Sequence, residues 1–160
     1  WHFVVMGRKA MIDMQIKTLE FYDEHWREAS ERWGTEEEYL QWRADTEEEI
    51  EGRWGPVSYM IAIVMRRQAG AKRLPEWEEA AATSCAVHNM HLQATQYPGL
   101  ACYWSSWHSA ARDSEMMRDL LKMGFEDKCL GFFIVARCKP DLRDRRRRHP
   151  ITHLSTEWRT

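Results

Sequence analysis

The stretch "PVSYMIAIVMRR", Pro56 to Arg67, constrains the fold more than any other part of the chain. It is rich in β-branched and long apolar residues and shows no polar alternation. A strand of that kind has two faces to hide, so it belongs in the middle of a sheet with a layer packed on each side. The 160 residues suffice for one domain with a real core. A layered α+β or α/β domain follows, with the remaining segments supplying the covering layers.

Those segments can be read in order. "HFVVM" (His2 to Met6) is a short apolar run ending at Gly7 and reads as a strand. Met11, Met14, Leu19, Tyr22 and Trp26 then recur at helical spacing. Gly34 ends that helix, and Thr35 with Glu38 forms a capping box for the next. Tyr39, Trp42, Thr46 and Ile50 give this second helix a thin apolar stripe on an otherwise acidic surface. The acidic faces suit solvent or a docked partner. Pro75, followed by Glu76, Glu78 and Glu79, opens a third helix that runs to about Tyr97 and is stopped by Pro98-Gly99. "LACYWSSW" is a further strand, Ser114 caps a helix closed by Gly124, and "KCLGFFIVARC" is the last core strand. The final twenty residues lack periodicity and read as a basic tail over the surface or onto another subunit.

Charge is unevenly distributed. Trp1 to Gly55 holds fourteen acidic residues against seven Lys and Arg, whereas Arg137 to Arg148 holds seven basic against two acidic. The two ends can attract one another within one molecule or between copies. The run Arg145 to Arg148 also suits an acidic partner or RNA. No apolar stretch of about 18 residues is present, so no membrane-spanning helix is encoded. Cys85, Cys102, Cys129 and Cys138 lack the spacing of a zinc site and read as reduced, mostly buried thiols in a reducing compartment, cytoplasmic or organellar. His88 and His91 stand three apart on a helix, but no third metal ligand accompanies them. Ser105, Ser106, His108 and Asp113 are the residue types of a hydrolytic triad, but no nucleophile elbow surrounds them.

The third helix carries the run Ala80 to Ala86, in which every side chain is small. Such a surface admits close approach of a core layer or of a second helix in a symmetric dimer. Four stretches together resemble the FMN-dependent nitroreductase superfamily, especially its small bacterial members. They are "WHFVVM", "PVSYMIAIVM", "PEWEEAAATSCAVHNMHLQATQYPGLACYWSS" and "DKCLGFFIVARCKP", covering Trp1 to Met6 and roughly Pro56 to Pro140. The resemblance implies an α+β three-layer fold, with a mixed central sheet flanked by helices, usually as a swapped homodimer with FMN at the interface. It divides the chain into a domain over 1–140, with an acidic helical insertion at 8–55, and a basic tail over 141–160. It also places a family segment carrying phosphate-binding arginines before Trp1, so the chain is expected to be truncated at its N-terminal side.

What the resemblance implies about chemistry is NAD(P)H-dependent reduction of nitroaromatic or quinone-type acceptors through FMN. Gly99 and Leu100 would admit backbone to the flavin edge, and Ala94 to Gly99 would match the nicotinamide side. Trp104, Ser105 and Ser106 would match the strand end that touches FMN, and Arg146 and Arg147 would reach its phosphate. The chain also departs from the family. Its turn reads Gly99-Leu100-Ala101 where Gly-x-Gly is usual, and Ser105 replaces a basic residue. Trp107 replaces a glycine, and Val135-Ala136-Arg137-Cys138 replaces Leu-Gly-x-Pro. An added Cβ blocks close backbone approach to a ligand. The alternative is therefore a catalytically degenerate subunit with the same fold, serving as a scaffold in a larger assembly.

Overall fold

A computed structural model of the chain describes residues 1–29, 33–52 and 54–139. The elements are β1 (His2–Met6), α1 (Arg8–Ala29), α2 (Glu36–Gly52), β2 (Val57–Met65), α3 (Glu76–Ala94), β3 (Leu100–Ser105), α4 (Ser109–Arg112), α5 (Glu115–Leu121) and β4 (Lys128–Arg137). The four strands form one sheet in the order β1-β2-β4-β3. All three pairings are antiparallel, where a mixed sheet is the sequence expectation. The doubly apolar strand does lie inside the sheet, paired with β4, with Ile61 opposite Phe133 and Met60 opposite Ile134.

Period-two alternation divides β2 between two cores. Met60, Ala62 and Val64 join Phe132 and Ile134 against Met11 and Met14 of α1 and Met117 and Leu121 of α5. Ile63 and Phe133 pack on the other face with Val87 of α3. The result is three layers, with α3 on one side of the sheet and α1, α4 and α5 on the other. Helix α3 contributes little of itself to this packing. Only Glu79, Thr83 and Val87 are buried, whereas Ala81, Ala82 and Cys85 are exposed and Trp77 is 71% exposed. The small-residue run therefore leaves one helix face uncovered instead of disappearing into the core.

The second acidic helix joins through aromatic contacts. Tyr22 meets Trp42 edge-on at 5.3 Å between ring centroids, and Trp26 stacks on Tyr39 at 5.1 Å. Arg43 grips Asp23 of α1 through Nε at 2.9 Å and Nη2 at 3.1 Å. That guanidinium, against an opposing desolvation, holds the Asp23 carboxyl below its usual range. The capping box forms: Thr35 Oγ1 accepts from the Glu38 amide at 3.2 Å, and Glu38 Oε2 accepts from the Thr35 amide at 3.3 Å. Ser114 likewise caps α5 by accepting from the Met117 amide.

Three element ends differ from expectation. Helix α3 stops at Ala94, before the Pro-Gly pair, and Thr95 Oγ1 donates back to the Leu92 carbonyl at 2.7 Å. Helix α5 ends at Lys122 in the left-handed conformation, φ 53°, two residues before Gly124. Short helix α4 has no signal in the pattern of apolar residues. Of the four cysteines, all free, only Cys129 is buried, and burial pushes its thiol up to about 11; Cys85 is exposed. The arginine run Arg145 to Arg148, with Arg146 and Arg147, lies outside the described residues.

A buried ion pair ties the segment just after β2 to α3. Arg67 Nη1 lies 2.6 Å from Glu79 Oε2. Glu79 Oε1 accepts from the amides of Leu74, 3.1 Å, and Gln68, 3.3 Å. Burial alone would raise the Glu79 carboxyl, but these amides and Arg67 outweigh it and hold it below the usual range. Stability drawn from Glu79 is thus present above its unfolded-state pKa and lost as pH falls through the lower folded value. Thermal melts across a pH series should show Glu79→Gln melting below the wild type at neutral pH, with the gap closing in acid. Phe132→Ala, which empties the junction of β2, β4 and α1, should cost about 3–5 kcal/mol in urea titrations.

Candidate functional site

Strand β3 forms one edge of the sheet, paired only with β4 among the described strands. At about 3.3 Å per residue, Gly99 and Ser105 stand about 20 Å apart along it. The predicted contact residues therefore fall into two groups. Gly99 and Leu100 sit where β3 begins; Gly99 adopts φ 83°, and its carbonyl accepts from the Cys138 amide at 2.8 Å. The described residues also end beside this place, at Lys139. Trp104, Ser105 and Ser106 sit at the opposite end.

That far end is divided again by the pleat. Cys102 packs toward α3, so Trp104, two residues on, shares its face. The Trp104 indole donates to the Leu130 carbonyl at 3.2 Å. Tyr103 and Ser105 face the other way and line a cavity of about 500 Å³ between β3, α1 and α2. Helix α1 contributes Gln15, Thr18 and Leu19, α2 contributes Trp42, Asp45, Thr46, Glu49 and Ile50, and Trp54, Trp107 and His108 complete it. Of the predicted cofactor-contact residues that are described, Ser105 alone lines the cavity.

The turn after Ser105 is fixed by two residues that the sequence analysis passed over. Arg112 donates to three backbone carbonyls: Trp107 from Nε at 3.0 Å, Cys129 from Nη1 at 2.6 Å and Ser106 from Nη2 at 2.9 Å. Gly131, at φ 132°, leaves room for the turn; a Cβ there would lie 2.7 Å from the Trp104 indole nitrogen and 3.2 Å from Ser106 Cα. Trp107, expected to obstruct a ligand as the replacement for a glycine, instead stacks on Phe132 at 5.1 Å and faces the cavity. The period-two rule, applied to β3, was the available signal for pairing Tyr103 with Ser105. Arg112 had none, because its partners are main-chain atoms brought near by the fold.

His88 and His91 lie on the exposed part of α3, and His91 meets the Phe133 ring at 5.9 Å. Among the described residues no cluster of three or more His, Cys, Asp or Glu could hold a metal.

No family model matches the chain, and no curated protein does. Among solved structures it superposes on the nitroreductase-like family protein from Bacillus cereus with a TM-score of 0.60 at 18% identity, covering 95% of this chain and 70% of that one. The chain has a nitroreductase-like fold. Within that fold the stretches "HFVVM", "PVSYMIAIVM" and "KCLGFFIVARC" are adjacent strands of one sheet, and the cavity lies beside the edge strand β3.

The clamp makes a specific expectation. Arg112→Ala should leave the Trp107, Cys129 and Ser106 carbonyls unpaired and destabilise the protein by about 2 kcal/mol, with altered near-UV circular dichroism from Trp107. Arg112→Lys should recover only part of this, because one ammonium cannot span three carbonyls.

Proposed function

We propose that the chain is an NAD(P)H-dependent flavoprotein that reduces quinone-type or nitroaromatic acceptors, with FMN held at the Trp104–Ser106 end of β3. The observation that carries this reading is a ligand-sized cavity opening beside that strand end in a nitroreductase-like fold. The residues suit the ring portion of the cofactor. Ser105 offers a half-buried hydroxyl at the cavity wall, and the Arg112 clamp fixes the main chain around it. Bound FMN would supply the hydride and electron transfer; the protein's part is to orient the ring and shape its surroundings. A phosphate needs paired positive donors, and Arg146 and Arg147, which would provide them here, lie outside the described residues.

The same reading makes the protein a homodimer. The uncovered face of α3, with Ala81, Ala82 and Cys85 beside exposed Trp77 and Leu92, suits a second copy related by a two-fold axis. Small side chains there let two backbones approach closely. Gly99 and Leu100, at the same side of β3, would then serve the interface end of the site.

Purified protein should be yellow, release flavin absorbance on denaturation, and oxidise NADH or NADPH in the presence of a quinone. Ser105→Leu should lower flavin content severalfold while leaving far-UV circular dichroism unchanged. Colourless protein that takes up no added FMN would remove the enzyme reading and leave a scaffold subunit with the same fold. Light scattering should give twice the chain mass, reduced to one chain mass by Ala82→Glu.

A further inference from the structure

We propose that the aromatic seam between α1 and α2 is an electron relay, through which Tyr39 reduces a one-electron oxidant held in the cavity. The oxidant gains one electron. Tyr39 loses one, and its O–H bond breaks as the proton passes to the Asp23 carboxylate. The inference does not require FMN. Any ring that accepts a single electron in the cavity feeds the relay, a photoexcited quinone or flavin included.

The first observation is continuity. Trp42, Trp107 and His108 line the cavity. Trp107 meets His108 at 4.2 Å between ring centroids, and His108 meets Trp42 at 5.6 Å. Trp42 in turn lies 5.9 Å from Tyr39, and Trp33 bridges the same two rings at 4.5 Å and 5.4 Å. Rings at these separations are in contact, edge to face or tilted, and contact of this kind lets an electron move in short steps. Indole and phenol are among the side chains that give up a single electron most readily. An oxidised tryptophan at the cavity wall therefore has a ring beside it from which to refill.

The second observation concerns protons. An indole or phenol that has lost an electron is a strong acid, and the oxidation settles where a base takes the proton. The Trp107 indole nitrogen is buried without a hydrogen-bond partner. Oxidised Trp107 has no base in place and draws its electron from further along the seam. Tyr39 is different. It is 3% exposed, and its hydroxyl donates to Asp23 Oδ1 at 2.5 Å, within reach of direct proton transfer. Burial, with the carboxylate beside it, keeps Tyr39 a neutral phenol with its pKa well above the usual value. The electron can leave such a phenol only if its proton has somewhere to go, and Arg43 holds the accepting carboxylate in position. The seam thus runs from a ring without a proton acceptor to a ring with one, which gives the transfer its direction.

The test uses the full chain as purified, with flavin content measured on the same samples. Menadione, with its bound fraction fixed by equilibrium dialysis, is excited by a laser flash to start oxidation from the cavity. Azide radicals made by pulse radiolysis start it from solvent. Transient absorption and electron paramagnetic resonance then follow the radicals. In the wild type an indolyl signal should decay as a tyrosyl signal grows. Tyr39→Phe should remove most of the tyrosyl signal and prolong the indolyl signal severalfold. Asp23→Asn, a change at an exposed side chain, should slow the conversion severalfold, and it carries the test if Tyr39→Phe fails to fold. Trp42→Phe should abolish the tyrosyl signal started by menadione while sparing the one started by azide radicals, which reach Trp33 and Trp26 directly. A tyrosyl signal undiminished in Tyr39→Phe, a rate unchanged in Asp23→Asn, or menadione-started transfer intact in Trp42→Phe overturns the proposal. Failure of menadione to bind overturns the cavity as the point of entry. The same transfer in flavin-free protein supports the relay by itself.

Discussion

The pairing of β2 with β4 is the constraint on which the other features depend. Both strands are apolar on both faces, so their hydrogen-bonded ladder can exist in water only if each face is covered. Met60, Ala62 and Val64 demand one helical layer, and Ile63 with Phe133 demands another. Helices α1 and α5 meet the first demand and α3 meets the second. With those layers fixed, β1 and β3 are left as edges, and the end of β3 becomes the place where sheet, α1 and α2 converge around a space that they do not fill.

The shape of that space comes from backbone chemistry more than from the side chains that face it. Arg112 spends its guanidinium on three carbonyls, and Gly131 stays without a Cβ so that Ser105 and Ser106 can lie close. Both act at one remove from any ligand. Their effect is to hold Trp107 against Phe132 and to set His108 in a left-handed conformation, φ 55°, at the start of α4. A turn held this firmly can present aromatic and hydroxyl groups at fixed positions, which is what a site for a flat ring requires.

The departures from the family pattern take on a different meaning in the folded chain. Trp107 in place of glycine is a wall of the cavity, and its indole N–H is one of the groups left unmet. The acidic stretch around α2 is divided: Glu47 and Arg43 form an exposed pair at 2.6 Å, while Asp45 and Glu49 turn toward the cavity. Both follow from helical spacing combined with the aromatic seam that docks α2 on α1.

By itself the sequence determined the four strands and the helices other than α4, the interior position of β2, the capping box at Thr35 and Glu38, and the α+β layering. These are consequences of local periodicity and of backbone groups a few residues apart. Only the tertiary structure decided that the sheet is antiparallel throughout its described strands, that α3 leaves a face bare, and that Trp104 and Ser105 part company across the pleat. It alone brought Gln15 to Ser105 and Trp107, residues about ninety positions apart in the chain. Strand order and a cavity's lining arise from which surfaces meet, and a sequence states that each surface is apolar or polar without stating which other surface it will find.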